Sequence, residues 1–373
     1  MTAGRFDCLV VGAGPAGSSA AEALAAEGLS VCLLEKHRLP RHKVCAGGLP
    51  AKTLALLPAD LGGLPRRELS AVRFTHAGRR EFVYRAASPL VTVVERAAFD
   101  QWLARRAAAA GAELREGAHC TALRSDADGV TAETSAGAVQ ARAAIVATGA
   151  TGRVEFDGRP LRSAPLGTAL QTEVPFDGAG AWTETLGCDF GMAPGQIAWC
   201  FPGPAHLAVG VLTFRPSARG LLTSLRRHLG ALGLPAGAGP VRGAALAAWH
   251  GQERFSTSRV LLAGDAAGLV NPLTGAGIRR AILSGRLAAR TVAGNLGAGR
   301  APAEGFDAAM RATFAGEFSH AAALARAFYA APGLWYRLAV TTGRGTGLME
   351  RLLAGRATYD RVLSEFFRGH RRS

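Results

Sequence analysis

Three glycines at fixed spacing, Gly12-x-Gly14-x-x-Gly17, follow the apolar run Phe6 to Val11 and lead into a helical pattern from Ser18 to Glu27. Backbone amides at such a turn can capture a phosphate. Gly12 permits the tight turn, Gly14 lets the backbone approach a pyrophosphate, and Gly17 lets the helix pack on the strand, so that an anion meets the positive end of that helix. Ala16 lies in the same turn and joins the cofactor-binding set. Glu35 closes a second apolar strand, Leu29 to Leu34, at the distance where a carboxylate accepts hydrogen bonds from a ribose hydroxyl, with Lys36 beside it. Strand, helix, strand and acid in register predict a dinucleotide-binding βαβ unit rather than a glycine-rich turn alone.

A second acid stands where another strand stops, in Arg259-Val-Leu-Leu-Ala-Gly264-Asp265, followed by Asn271-Pro272-Leu-Thr-Gly275-Ala276-Gly277 and a helix starting at Ile278. Asp265 can bind a polyol, and the amides of Thr274 to Ile278 can stabilise an anion at the helix start; the plainer reading of a strand-end Asp is an N-cap. That helix is expected to bury Ile278, Ala281, Ile282, Gly285, Ala288, Ala289 and Val292 and to leave Arg279, Arg280, Arg286 and Arg290 outside. The segment Arg41-His-Lys-Val-Cys45-Ala-Gly-Gly-Leu49 is cationic, then glycine-rich, and fits no hydrophobic period. It is either an active-site loop carrying Cys45 or a surface turn.

The elements that must position these residues follow from the periodicities. A hairpin is expected around Gly78, from Ala71 to Tyr84, then a strand at Leu90 to Val94 and a helix with Phe99, Leu103, Ala107 and Ala110 on one face. Short strands follow near Leu114, Cys120 to Leu123, Val130 to Thr134 and Val139 to Ala141, with a separate buried strand at Ala143 to Ala147. The turn Thr148 to Arg153 is of a kind that lies against a nucleotide. Leu166 to Phe214 reads as β-rich, Leu221 to Leu232 as helix. The fold class is α/β, with a Rossmann-like dinucleotide-binding domain (1–70, 90–165 and 255–300) interleaved with a mixed β-sheet substrate domain (71–89 and 166–254). A helical region, 301–373, completes the chain. Its aromatics, Phe318, Phe328, Tyr329, Trp335, Tyr336, Phe366 and Phe367, either pack onto the body or form a peripheral membrane face or tunnel wall.

With 373 residues, 49% of them hydrophobic, the chain can bury a large core. Its apolar runs fall short of a membrane span, and a strand starting at Phe6 leaves no space for a signal peptide, so the expected location is the cytoplasm, with or without peripheral membrane contact. The six cysteines show neither paired nor metal-ligand spacing, which argues against disulfides and metal centres. A net charge of +15 comes almost wholly from arginine, lysine occurring only at positions 36, 43 and 52. Without interleaved aromatic and basic patches, nucleic acid is not an expected partner; an acidic protein or an anionic membrane surface is.

Taken in order, Gly12-x-Gly14-x-x-Gly17, Glu35, Arg96, Thr148-Gly149 and Gly264-Asp265 resemble the p-hydroxybenzoate hydroxylase-type FAD-dependent oxidoreductases. Lys43-Val-Cys45-Ala-Gly-Gly48, Gly264-Asp265 through Ile278 and Pro194-x-x-Ile197-x-Trp199-x-Phe201-Pro202 resemble their geranylgeranyl reductase branch. The resemblance implies an FAD whose pyrophosphate lies on Gly12, Gly14 and Gly17, whose adenosine ribose meets Glu35, whose ribityl–pyrophosphate region meets Arg96, and whose ribityl chain meets Gly264-Asp265. Pro272, Gly275, Ala276, Gly277 and Ile278 would flank the isoalloxazine, and Ile197, Trp199 and Phe201 the substrate. Four positions depart from the pattern: Ile197 stands where tyrosine is usual, Thr148 replaces the aspartate of the hydroxylase Asp-Gly, Gly152 its later serine, and Ala46 a glycine.

The implied activity is hydride transfer from flavin N5 to a carbon–carbon double bond of an apolar, prenyl or isoprenoid, substrate. Cys45 is the candidate proton donor or ring contact, and packing is its alternative. The runner-up is a monooxygenase that activates oxygen at C4a to hydroxylate an aromatic natural product or a protein side chain; a non-catalytic flavin-binding protein is third. No second Gly-x-Gly-x-x-Gly unit is present, so electrons are expected from transiently bound NAD(P)H or from an acidic redox protein.

Overall fold

A computed structural model describes residues 5–160, 167–215 and 217–337, with 347, 351 and 361 singly. The first layer is a nine-stranded sheet of β1 (Phe6–Val11), β2 (Val31–Glu35), β8 (Glu113–Glu116), β9 (Cys120–Ser125), β10 (Val130–Thr134), β11 (Val139–Val146), β12 (Glu155–Phe156), β13 (Arg159–Pro160) and β19 (Val260–Leu262). Its centre is parallel: β1 lies between β2 and β11, β8 extends β2, and β19 joins β11. Near-continuous apolar runs such as Cys8-Leu-Val-Val11 belong in such a centre because both faces are covered. On one face Val10, Leu33 and Ile145 pack under α1 (Pro15–Ala26), α3 (Arg96–Ala109) and α5 (Ile278–Gly297); on the other, Leu9 and Leu34 pack against Leu123, Val130 and Ala132 of the β9–β10–β11 meander.

The two strands expected at 139–141 and 143–147 are one. The first half of β11 pairs antiparallel with β10 and alternates, Gln140 and Arg142 reaching solvent, while the second half pairs parallel with β19 and is wholly buried. A change of neighbour along one edge, not a break in the chain, produces the change of pattern.

The second layer is a seven-stranded sheet in the order β18 (Arg242–Leu246), β14 (Gly167–Pro175), β17 (His206–Thr213), β16 (Gln196–Pro202), β15 (Thr185–Phe190), β5 (Ala71–His76), β6 (Arg79–Arg85). The hairpin around Gly78 is β5–β6. A small third sheet, β3 (Gly48–Pro50), β7 (Val91–Val94) and β4 (Arg66–Leu69), joins the layers, and α2 (Ala51–Leu54) follows β3. Helix α4 (Leu221–Ala231) covers one face of the second sheet through Leu221, Leu225 and Leu229, which pack on Ala198, Cys200, Val209 and Val211.

Helices α6 (Phe306–Ala330) and α7 (Pro332–Trp335) lie back on the body. Phe318 stacks on Trp249 at 5.0 Å, Phe328 meets Phe190 edge-on at 4.8 Å, and the Tyr336 hydroxyl donates to the carbonyls of Phe74 and Arg80. These aromatics are packing residues; Phe366 and Phe367 lie outside the described residues. Among the described residues, no helix is long and apolar enough to cross a membrane.

Candidate active site

The glycine turn joins β1 to α1. Gly12 has φ +104°, and a Cβ there would stand 2.6 Å from the Ala147 carbonyl oxygen, while a Cβ on Gly17 would overlap the carbonyl oxygen of Gly12. Gly14 caps α1 ahead of Pro15, and its open side has only the Arg41 guanidinium near it, at 3.7 Å. Ala16 lies in the first turn of α1, under α5. Glu35, 4% exposed, ties the end of β2 to this turn: it accepts from the Ala13 amide at 3.2 Å, from the His37 amide at 3.1 Å, and pairs with Arg41 Nε at 3.2 Å. Lys36 points to solvent, one residue beyond.

From Glu35 a chain of charges runs along the cleft. Arg41 Nη1 donates to Asp100 Oδ2 at 3.0 Å, and Arg96, one turn earlier on α3, grips both oxygens of the fully buried Asp100 at 2.9 Å. The Cys45 sulfur lies close by; burial pulls against the Arg96 charge, but Asp100 and Cys45 together hold it cationic. Cys45 Sγ accepts from the Gly47 amide at 3.4 Å. Lys43 is lowered by burial and by Arg96, with Asp265 and Cys45 opposing; Asp265 is raised by burial, with Lys43 and Arg96 opposing. Sequence reasoning missed Arg41 and Asp100 as members of this chain. The i,i+4 spacing of Arg96 and Asp100 on an expected helix was the available signal.

Asp265 follows Gly264 on a short 3-10 turn, Gly264–Ala267, and keeps some accessible surface; a Cβ on Gly277 would come within 3.1 Å of Asp265 Oδ1. The loop Pro272 to Gly277 is organised by Asn271, whose Oδ1 accepts from the amides of Leu273 at 2.9 Å and Thr274 at 3.0 Å; the Gly275 amide donates to the Asn271 carbonyl, and the Ala276 amide to Thr274 Oγ1. Four of the loop's amides are therefore spent internally, and the anion-facing donors of a helix start are left to Gly277, Ile278 and the rest of the first turn of α5. This corrects the expectation that the Thr274, Gly275 and Ala276 amides serve an anion.

The face of the second sheet opposite α4 turns toward the cysteine loop. Directly paired residues place Phe74, Cys188, Trp199, Gly210 and Gln171 in one row across β5, β15, β16, β17 and β14. Gln171 Nε2 donates to the Cys45 carbonyl at 3.5 Å. The next row brings Phe201, Ala208 and Glu173 together, and these line a cavity of about 60 Å³ with Cys45, Ala46, Lys43 and Arg96. Ile197, Trp199 and Phe201 share this half-buried face; Ile197 and Phe201 pack with Phe190, Phe328 and Tyr336, and Trp199 fills the space above Gly210, where a Cβ would meet its ring. Its indole Nε1 is sealed from solvent without a hydrogen-bond acceptor.

Residues 5–154 match the family model described as an FAD binding domain. Digeranylgeranylglycerophospholipid reductase 1 of Methanopyrus kandleri is 34% identical over 312 residues, 76% of this chain and 79% of that protein. Geranylgeranyl diphosphate reductase of Rhodobacter capsulatus is 31% identical over 314 residues, 79% of this chain and 77% of that protein. The chain belongs to the geranylgeranyl reductase family. Its fold matches that of a geranylgeranyl bacteriochlorophyll reductase-like protein from Thermoplasma acidophilum, with TM-score 0.72 at 23% identity over 85% of this chain and 84% of that one.

As a member of this family the chain is an FAD-dependent oxidoreductase, and its cleft fits the cofactor. The glycine turn is open only at Gly14, where a pyrophosphate would approach; the Glu35 carboxylate is fixed at the end of β2; and Asp265 lies in the field of Lys43 and Arg96. Bound FAD would supply two-electron redox chemistry at the isoalloxazine. The helix expected at 278 needs two corrections, the first being that Ile278, expected buried, is only half-buried. Arg280, expected outside, is 3% exposed: its guanidinium crosses from α5 to α6, pairs with Glu317 and stands 5.2 Å from the Phe318 ring. A partnered arginine with its stem on an aromatic ring can be buried where an unpaired one cannot.

Proposed function

We propose that this protein saturates carbon–carbon double bonds of a prenyl chain. The observation that carries this reading is the meeting of the cysteine loop with the second sheet, Gln171, in the row of Trp199, bonding the Cys45 carbonyl while Phe201 lines the cavity with Cys45. An isoprenoid offers no group to hydrogen-bond, so its site needs apolar walls, and in the cavity beside Cys45 these are Phe201, Val93, Val94 and Ala208. Ile197, where tyrosine is usual, makes the sheet face that carries Trp199 and Phe201 more apolar. The names of the reductase relatives agree with this substrate class.

In this reading Gly12, Gly14, Ala16 and Gly17 bind the pyrophosphate, Glu35 and Arg41 fix the adenosine end, and Arg96 and Asp265 hold the ribityl region; Lys36 stands at the rim. Gly264 and the loop from Pro272 through Gly275, Ala276, Gly277 and Ile278 border the ring, where the start of α5 stabilises negative charge. Cys45 is a contact beside the ring, its sulfur accepting from the Gly47 amide. The external donor is NAD(P)H or a redox protein.

The test is to reduce the purified flavoprotein anaerobically and mix it, in a stopped-flow instrument, with prenyl lipids or aromatic compounds. Reoxidation of the flavin by a prenyl lipid without oxygen, with a product that has gained two hydrogens, is the expected result. Reoxidation only by oxygen, with a hydroxylated product, would replace the reductase reading by a monooxygenase.

A further inference from the structure

A cation in the first turn of a helix is misplaced, because the free N–H groups there already carry positive charge. Helix α5 nevertheless opens Gly277-Ile278-Arg279-Arg280, and Arg280 is buried, at 3% exposure. Its guanidinium makes two contacts of different kinds. Nη2 pairs with Glu317 of α6, and the group lies over the ring of Phe318. Nη1 donates at 3.2 Å to the Ala276 carbonyl, which also accepts from the Asn271 amide at 3.0 Å. Glu317 keeps Arg279 within 3.9 Å as well, so the carboxylate does not depend on Arg280 for a cation. What Arg280 alone supplies is the bridge from α6 to the end of the Pro272–Gly277 loop.

The Ala276 carbonyl and the Gly277 N–H belong to one planar trans peptide, so they point in opposite directions. Arg280 holds the carbonyl toward α6 and thereby turns the N–H away from it, out past the start of α5. That N–H donates to no group among the described residues. A Cβ on the same residue would come within 3.1 Å of Asp265 Oδ1, so Gly277 borders the cleft that holds this acid. A second loop carbonyl is gripped from α6 with a different result. The Tyr329 hydroxyl donates to the Leu273 carbonyl at 2.8 Å, but the N–H of that peptide, on Thr274, is spent on Asn271 Oδ1. The Leu273–Thr274 plane is closed at both ends; the Ala276–Gly277 plane is held at one end and open at the other.

We propose that Arg280 is a positioning residue for the bound flavin: clamped by Glu317, it fixes the Ala276–Gly277 peptide so that the Gly277 N–H is aimed into the cofactor cleft, where it stabilises negative charge brought to the ring by reduction. The inference rests on the reading that this loop borders the isoalloxazine, and adds the residue that sets its electrostatics. A donor fixed in advance needs no rearrangement when charge appears. The guanidinium adds its own positive charge to that of the helix start, so aim and charge act with one sign. The consequence is a higher reduction potential, which eases loading of the flavin by its external donor and moderates its driving force toward the substrate.

The experiment measures the midpoint potential of the FAD-loaded protein, with no prenyl lipid present, in wild type, Arg280→Met, Arg280→Lys and Tyr329→Phe. Arg280→Met removes aim and charge together. It should lower the preference for reduced over oxidised FAD by about tenfold, which is ~30 mV for a two-electron couple. Arg280→Lys keeps the charge but puts one ammonium where two guanidinium nitrogens stood, so its potential should fall as well. Tyr329→Phe loosens a plane whose N–H serves the loop itself and should leave the potential in place. A wild-type potential in Arg280→Met, with a lowered thermal midpoint, would make the arginine a clamp between α5 and α6 and overturn the inference. A wild-type potential in Arg280→Lys would assign the effect to charge alone, and an equal fall in Tyr329→Phe would assign it to any loosening of the loop; either overturns the positioning role. The underlying reading has its own control. Gly277→Ala sets a methyl group against Asp265 at the border of the cleft and should shift the visible spectrum of bound FAD. An unshifted spectrum means that the loop does not border the ring, and that reading fails. A shifted spectrum with unmoved potentials in both Arg280 variants overturns this inference alone.

Discussion

At the scale of single residues, Asp265 shows how a buried acid costs its own fold something. Burial raises its carboxyl from the ordinary 3.8, Lys43 and Arg96 only partly opposing. An acid raised on folding contributes stability that is present below 3.8 and lost as pH rises through the folded value. Asp265→Ala should therefore have two effects: lower FAD occupancy, read from the flavin-to-protein absorbance ratio, and a thermal midpoint of the FAD-free protein that gains on the wild type as pH is raised from 3.8. Unchanged occupancy would remove Asp265 from the cofactor site. The position of Asp265 was legible because a strand that stops at an acid leaves that acid at the strand's end. Arg41 and Asp100 were not, since their importance lies in a buried chain linking Glu35 to Cys45 across three separate segments. Lys36, adjacent to Glu35 in sequence, is exposed to solvent.

At the scale of elements, the site depends on how closely α1 and α5 approach. A Cβ on Gly285 would overlap the Ala16 carbonyl oxygen, whereas Gly294, on the same helix, faces open solvent. Gly285→Ala should destabilise by ~1–3 kcal/mol or more through overpacking, and Gly294→Ala should be stabilising by roughly 0.5–1 kcal/mol. Urea midpoints of the two variants check this, and equal midpoints would refute the close contact. The 3.6-residue period revealed the buried stripe of α5, including Gly285, because hydrophobic spacing records which side faces the core. It could not reveal Arg280, whose burial depends on Glu317 and Phe318 of a different helix. In the same way a period-2 pattern identified the strands near 139 and 143 but not that they are continuous, since the change from alternating to solid burial reflects neighbours that are distant in sequence.

At the scale of the whole molecule, a net charge of +15 sets how the surface meets other molecules. If the electrons come from an acidic redox protein, reduction should slow steeply as salt is raised toward about 0.5 M, where the Debye length falls to roughly 4 Å; an unchanged rate would eliminate such a donor. The order of the chain has another effect. Gly12 to Gly17 leave the ribosome well before β19, Asp265 and α5, which complete the opposite wall of their cleft and lie at residues 260–297. A nascent chain therefore displays the glycine turn long before its cleft is complete, and through most of its synthesis the exposed inner faces of α1 and β11 await partners not yet made. Cofactor loading is thus a late event in the life of this polypeptide, and a chain halted before α5 would be a target for chaperones rather than a half-formed enzyme.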